Sequence, residues 1–256
     1  MAQYRFELRA LMTTIYDPTL VMLSIFVAIT GALTGLAVTA GYDRGGKRSY
    51  ASALIKGAII IGGSIWSMHF IAMLAVRLPV AVNYNFVETM LSLYIAIMGT
   101  GFGLYIASRR RLGWASIPIA GILMGAAIGG MHYLGMNAMR GCGVTYTQSG
   151  IVTALTIAVT ASTIALWFTF RKRGTAETLL GGLMLGLTIA SMHYTAMVST
   201  GFDYLPVNVN SSAPLMSQDT LAFIIAGSTF AICGVFLLLF SSLALGGSAR
   251  PTAGGR

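Results

Sequence analysis

Seven apolar runs of roughly 20 residues, almost free of charge, divide this sequence, and that length is what a helix needs to cross a bilayer. They lie near 18–40, 53–76, 87–108, 115–139, 150–170, 177–200 and 219–242. Inside hydrocarbon every backbone N–H and C=O must find its partner within the protein, which leaves helices for runs of this length. Composition agrees: 56% of residues are hydrophobic and 9% charged, against roughly 25% charged in soluble domains. The expected fold class is an all-α membrane protein with seven transmembrane helices.

The basic residues orient the chain. Arg44, Lys47 and Arg48 follow the first span, Arg109, Arg110 and Arg111 the third, and Arg171, Lys172 and Arg173 the fifth. Loops on the other side hold Arg77 and Arg140, with Glu88, Asp203 and Asp219 nearby. The positive-inside rule places the three clusters in the cytoplasm, the N-terminus outside and the C-terminus inside. Arg5 and Arg9 run against this pattern and are assigned to an N-terminal interfacial segment, residues 1–15. Residues 1–17 lack the apolar core of a cleavable signal, so the first span is expected to be retained. The net charge of +9 lies mostly beside membrane spans, which fits anionic lipid rather than nucleic acid. Two cysteines make no disulfide framework: Cys233, inside the last span, reads as packing, and Cys142, in an outer loop, as a spare thiol near the outer surface.

All three histidines fall in one repeated hexapeptide, Met-His-aromatic-x-small-Met. The copies begin at Met68, Met131 and Met192, so that His69, His132 and His193 are 63 and 61 residues apart. A period of two spans gives every copy the same orientation. Seven residues before each histidine stands a glycine (Gly62, Gly125, Gly186); eleven before stands Ala58, Gly121 or Gly182; twelve before stands Gly57, Ala120 or Gly181. Small residues at this spacing let membrane helices approach closely. The odd spans also resemble one another, with Leu23-Ser24-Ile25, Leu91-Ser92-Leu93 and Leu155-Thr156-Ile157 opening similar runs. The repeat predicts three two-helix units in a pseudo-threefold arrangement plus one extra helix. The even helices would pack centrally by their glycine faces, with the odd helices around them. These helices make one domain, 16–242, followed by a cytoplasmic tail, 243–256. Each histidine is 20 or 21 residues beyond a basic cluster, or roughly 30 Å along a helix, toward the outer face.

Imidazole and thioether donors without a nearby carboxylate suit copper, with zinc the alternative if the histidines act alone. The candidate ligands are His69, His132 and His193, with Met73, Met136 and Met197 on the same helix face four residues on. Met68, Met131 and Met192 come next, because each points about 100° away from its own histidine. Tyr133 and Tyr194 could supply hydroxyls beside the ligands, whereas Phe70 cannot. The sequence marks out no catalytic serine or cysteine, no span carries paired carboxylates, and Gly99-x-Gly101-x-Gly103 reads as helix packing. Three function classes follow: a metal-dependent sensor, a zinc- or copper-dependent membrane enzyme or metal-handling protein built on a three-histidine site, and a structural membrane module whose histidines only pack.

Met192-His193-Tyr194-Thr195 reproduces in full the tetrapeptide that gives the MHYT domain family of bacterial integral-membrane sensors its name. Met131-His132-Tyr133-Leu134 and Met68-His69-Phe70-Ile71 keep its first two positions, and Tyr16-Asp17-Pro18-Thr19-Leu20 resembles the family's approach to its first span. The resemblance covers residues 16–242. It implies a non-catalytic sensor in a bacterial inner membrane that binds copper near the outer face and detects a diatomic gas (oxygen, carbon monoxide or nitric oxide). In many relatives a cytoplasmic module that makes or degrades a cyclic dinucleotide follows the domain. Here about 14 residues follow the seventh span, so the signal is expected to pass to a cytoplasmic partner or output domain. Lipid-facing small residues could support a homodimer.

Overall fold

The computed structural model describes residues 15–40, 46–78, 80–172, 174–203 and 214–247. Residues 1–14 of the interfacial segment, with Arg5 and Arg9, lie outside them, as do Arg44, Arg173 and the tail beyond Gly247. The apolar runs are helices: α1 (Pro18–Ala40), α2 (Gly46–Leu74), α3 (Phe86–Ser108), α4 (Ser116–Asn137), α5 (Gln148–Trp167), α6 (Thr175–Val198) and α7 (Gln218–Gly247). All seven are long and apolar enough to cross a membrane. Most ends fall within a few residues of the sequence reading. The exceptions are α2, which starts seven residues earlier, and α7, which runs five residues further. A π-helical turn, Phe168–Lys172, continues α5, and a 3-10 turn, Arg110–Ala115, leads into α4.

The odd helices α1, α3 and α5 each open on a side chain that accepts a backbone N–H of the first turn, satisfying a donor that the helix leaves free. Asp17 accepts from Thr19, Asn85 from Glu88 and Thr147 from Gly150. A short strand runs up to each cap, and the strand leading into α3 includes its cap, Asn85. β1 (Ile15–Tyr16) pairs antiparallel with β2 (Val76–Arg77), β3 (Asn83–Asn85) with β4 (Met139–Arg140), and β5 (Gly143–Tyr146) with β6 (Thr200–Asp203). The strand entering each repeat is thus pinned to the strand leaving it. A further strand, β7 (Leu215–Ser217), joins β3 and leads into α7.

The helix pairs α1–α2, α3–α4 and α5–α6 contact their neighbours through α2–α3, α4–α5 and α6–α1, closing a six-helix ring. α7 packs outside the ring on α1 and α2, where the Ser67 and Ser228 hydroxyls share a hydrogen bond of 2.7 Å. This is the pseudo-threefold bundle with one extra helix that the repeat predicts. Equivalent odd positions are buried at four levels: Ser24, Ser92 and Ala154; Ala28, Ala96 and Ala158; Ala32, Thr100 and Ser162; Leu36, Leu104 and Leu166. The third-repeat match of Thr156 to Ser24 is therefore corrected. Ala154 holds that place, and Thr156 is exposed with its hydroxyl donating to the Val152 carbonyl.

A second correction concerns the glycine faces. They do not meet one another at the centre. A Cβ on Gly62 would lie 2.6 Å from the backbone of Ile97 in α3, one on Gly125 2.6 Å from that of Val159 in α5, and one on Gly186 2.5 Å from that of Ile29 in α1. Each glycine admits the odd helix of the next repeat. A straight helix drifts by about 20° every seven residues, and helices cross at an angle, so one stripe does not face the axis along its whole length. The interior at these depths is filled instead by Ile65, Ile128 and Ile189 and by Ile61, Met124 and Leu185, all at most 1% exposed. Gly99 and Gly103 abut α4 and Gly101 abuts Ala58, which is the helix packing expected of them.

Candidate metal centre

His69, His132 and His193 each stand five residues before the last residue of their helix, about 7.5 Å from that end. Equal depth on three pseudo-equivalent helices brings the imidazoles together at the end of the bundle that the strand pairs close. Their Nδ1 atoms form a near-equilateral triangle: 3.1 Å between His69 and His193, and 3.2 Å for each of the other two pairs. Ring centroids are 5.0–5.1 Å apart and the rings are inclined by 77–82°, like propeller blades. All three are fully buried.

A neutral imidazole nitrogen either donates or accepts, never both. Three Nδ1 atoms in a triangle can therefore form one N–H···N bond at a time, which leaves the third nitrogen without its own partner. The three Nε2 atoms are buried with no hydrogen-bond partner. An equilateral triangle of this size has its centre about 1.8 Å from each corner, close to the ~2.0–2.1 Å of an imidazole–metal bond. A cation at that centre could use three lone pairs that the protein leaves without donors. Among the described residues these histidines form a cluster of metal-ligating side chains, and it holds no carboxylate or thiolate. That set lacks the oxygen donors that magnesium and calcium require.

The structure unites the three histidines of the sequence reading and places its methionines in the surrounding core. Met68, Met73, Met131, Met136, Met192 and Met197 are all buried, at 3% exposure or less. The aromatic residue after each histidine stands edge-on to its ring: Phe70 at 4.7 Å, Tyr133 at 4.9 Å and Tyr194 at 5.0 Å between centroids. The Tyr194 hydroxyl shares a hydrogen bond with Ser24 at 2.8 Å.

Outside these rings lies an aromatic layer of which the sequence reading names only Tyr16. Tyr84 packs on Phe70 at 5.7 Å, Tyr146 on Tyr133 at 5.2 Å and Tyr16 on Tyr194 at 6.3 Å. Each of these tyrosines lies one residue before a helix cap or directly against it, ahead of Asp17, Asn85 or Thr147, and each pairs with the residue seven after its repeat's histidine: Val76, Met139 or Thr200. A tyrosine followed by a capping residue ahead of α1, α3 and α5 is the signal that could have found them. Burial, assisted by the nearby Cys142 thiol, pushes the Tyr84 phenol well above its ordinary value. Cys142 itself is buried, with its thiol pushed up, so the surface thiol expected from sequence is corrected to a core residue. Two ion pairs reinforce the clamps, Arg77 with Asp17 and Arg140 with Glu88, both at 2.8 Å. Hydrogen bonds from Arg77 and from the Thr19 N–H hold the Asp17 carboxyl below the usual carboxylate range.

The sequence signature of the MHYT repeat, described as the bacterial signalling protein N-terminal repeat, matches residues 1–52, 62–120, 125–182 and 186–248. The chain belongs to the MHYT family. Its MHYT relatives include the bifunctional diguanylate cyclase/cyclic di-GMP phosphodiesterase MucR of Pseudomonas aeruginosa, 37% identical over 193 residues, which cover 73% of this chain and 28% of MucR. The signaling protein YkoW of Bacillus subtilis is 30% identical over 236 residues, covering 89% of this chain and 29% of YkoW. The cyclic di-GMP phosphodiesterase NbdA of P. aeruginosa is 32% identical over 233 residues, covering 86% of this chain and 29% of NbdA. The chain thus spans less than a third of the length of these relatives. No solved structure matches it. The MHYT signature and these signalling relatives make the chain a membrane sensor domain.

Proposed function

We propose that this MHYT domain senses through a copper ion held by the Nδ1 atoms of His69, His132 and His193. The observation that carries this reading is the Nδ1 triangle, three buried nitrogens at 3.1–3.2 Å that cannot all satisfy one another. Met73, Met136 and Met197 are the proposed additional donors, followed by Met68, Met131 and Met192. Thioethers in the surrounding core favour copper over zinc, which three imidazoles alone would hold equally well. When bound, copper would supply an open coordination position for a diatomic gas: oxygen, carbon monoxide or nitric oxide.

The protein's part is to hold three rings in a dry, fixed setting. The aromatic residues fix ring orientation edge-on, and the strand clamps fix the helix ends. Ile65, Ile128 and Ile189, four residues deeper, seal the triad from the rest of the bundle. With the basic clusters in the cytoplasm, the N-terminus outside and the C-terminus inside, the triad sits near the outer face of a bacterial inner membrane. A gas shifts the helices only if two packings differ in affinity for it. The names of MucR and NbdA point to cyclic di-GMP turnover as the cytoplasmic output that α7 would serve.

Infrared spectroscopy tests this. Detergent-purified protein loaded with Cu(I) under carbon monoxide should give a new C–O stretching band that is missing in a His132→Ala variant. A variant that keeps the band, or a loaded wild type without one, would contradict the gas-binding assignment.

A further inference from the structure

The triad is threefold in its donors but not in its surroundings. The position three residues after each histidine holds Ala72, Gly135 or Ala196, all buried on the even helices. A Cβ built on Gly135 would lie 2.5 Å from Nε2 of His69, 2.9 Å from its Cδ2 and 3.3 Å from Cζ of Phe70. Contacts under 3.0 Å force something to move, and here the atoms belong to a ring with no room to retreat. His69 is fully buried, packed edge-on against Phe70 at 4.7 Å and flanked by both other imidazoles. Its Nε2 has no hydrogen-bond partner and is aimed at the space that Gly135 leaves open.

We infer that Gly135 is a positioning residue for His69, the missing Cβ on α4 being what lets the α2 imidazole reach the triangle. Elsewhere in the bundle the helix glycines admit backbone, aliphatic, hydroxyl or methionine side-chain atoms, or, as at Gly227 and Gly234, meet nothing within 4 Å. Gly135 instead admits the far edge of a triad ring, so its effect falls on the site rather than on helix packing. His69 is also the histidine followed by Phe rather than Tyr. Its ring is boxed in by Phe70 and by the two other imidazoles, and its Nε2 edge fills the space that Gly135 leaves open.

A double-mutant cycle tests the contact without any metal. Thermal unfolding of the metal-free protein in detergent is measured for wild type, Gly135→Ala, His69→Ala and the pair. Alanine is ordinarily the better helix former, so the expectation is a midpoint lowered by Gly135→Ala in wild type and unchanged or raised by it once His69 is alanine. An equal loss in both backgrounds overturns the inference, because the methyl then collides elsewhere.

A second arm rests on the proposed metal site. Gly135→Ala should weaken Cu(I) binding about tenfold or more, the scale seen when groups that orient metal ligands are lost, while Ala196→Gly leaves it near wild type. Full copper affinity in Gly135→Ala overturns the positioning role. If wild type binds no copper, the metal reading falls and the unfolding cycle alone decides the role of Gly135.

Discussion

Replacing the three histidines together by leucine should make the metal-free protein more stable. The triad holds six ring nitrogens, all deeply buried. One Nδ1–H···Nδ1 bond satisfies two of them, and the three Nε2 atoms and the remaining Nδ1 have no protein partner. At the low end of about 1 kcal/mol for each unsatisfied buried group, these four nitrogens cost about 4 kcal/mol. Leucine has a similar volume and no polar atoms, so His69→Leu/His132→Leu/His193→Leu removes that cost without opening a cavity. By the scaling of soluble domains this size, about 4 kcal/mol raises the unfolding midpoint by about 8–16 °C. The assay is thermal unfolding in detergent with a chelator present, followed by the same scan with Cu(I). Copper should stabilise wild type by RT ln(1 + [L]/Kd), about 4 kcal/mol at roughly a thousandfold excess over Kd, and should leave the leucine variant unmoved. A metal-free leucine variant less stable than wild type would refute the reasoning and mark the histidines as packing residues.

The remaining predictions concern the clamps and α7. Arg140→Ala should cost about 1–2 kcal/mol, between the exposed and buried limits for ion pairs, because Arg140 and Glu88 are only 20% and 31% exposed. Arg77→Ala should cost less, since Arg77 is 69% exposed; equal losses in chemical denaturation would contradict this ranking. The depressed Asp17 carboxyl stabilises the fold above its unfolded value near ~3.9, and that contribution is lost as pH falls through the lower folded value. Arg77→Ala should accordingly remove this part of the acid sensitivity, read as the pH dependence of the unfolding midpoint. Burial, with a smaller push from Tyr133, raises the Tyr146 phenol to about 12. Its contribution opposes folding as pH rises from ~10 toward the folded value, so Tyr146→Phe should delete a late-titrating tyrosinate absorbance. Ser228→Ala removes the partner of buried Ser67 and should loosen α7 by about 1 kcal/mol, read as faster maleimide labelling of Cys233.

The helices are legible in the sequence because hydrocarbon leaves the backbone no alternative, and the triad because all three histidines share one period. The clamp is not. Strands of two to four residues carry too little pattern, and their register depends on where the helices end. The spacing within repeats also varies: Asp17 to His69 spans 52 residues, whereas Thr147 to His193 spans 46. A single period therefore cannot align odd and even helices together, and it is the likeness of Leu155-Thr156-Ile157 to Leu23-Ser24-Ile25 that matches Thr156 rather than Ala154 to Ser24 in sequence alone. The glycine stripes are recognisable as contact surfaces. Their partners are not, because helix crossing turns one stripe from the axis to a neighbouring helix within about two turns. Gly135 is visible only as the small residue of its hexapeptide until the His69 ring is placed against it.

The central claim is that three imidazoles from three repeats share one metal ion. Elemental analysis of detergent-purified protein, reconstituted with Cu(I) and compared with a His69→Ala/His132→Ala/His193→Ala variant, tests it most directly. The account predicts about one copper per chain in wild type and none in the variant, as a single three-nitrogen site requires. Wild type without metal after reconstitution with Cu(I), Cu(II) or Zn(II), or a triple variant that retains it, would contradict the account.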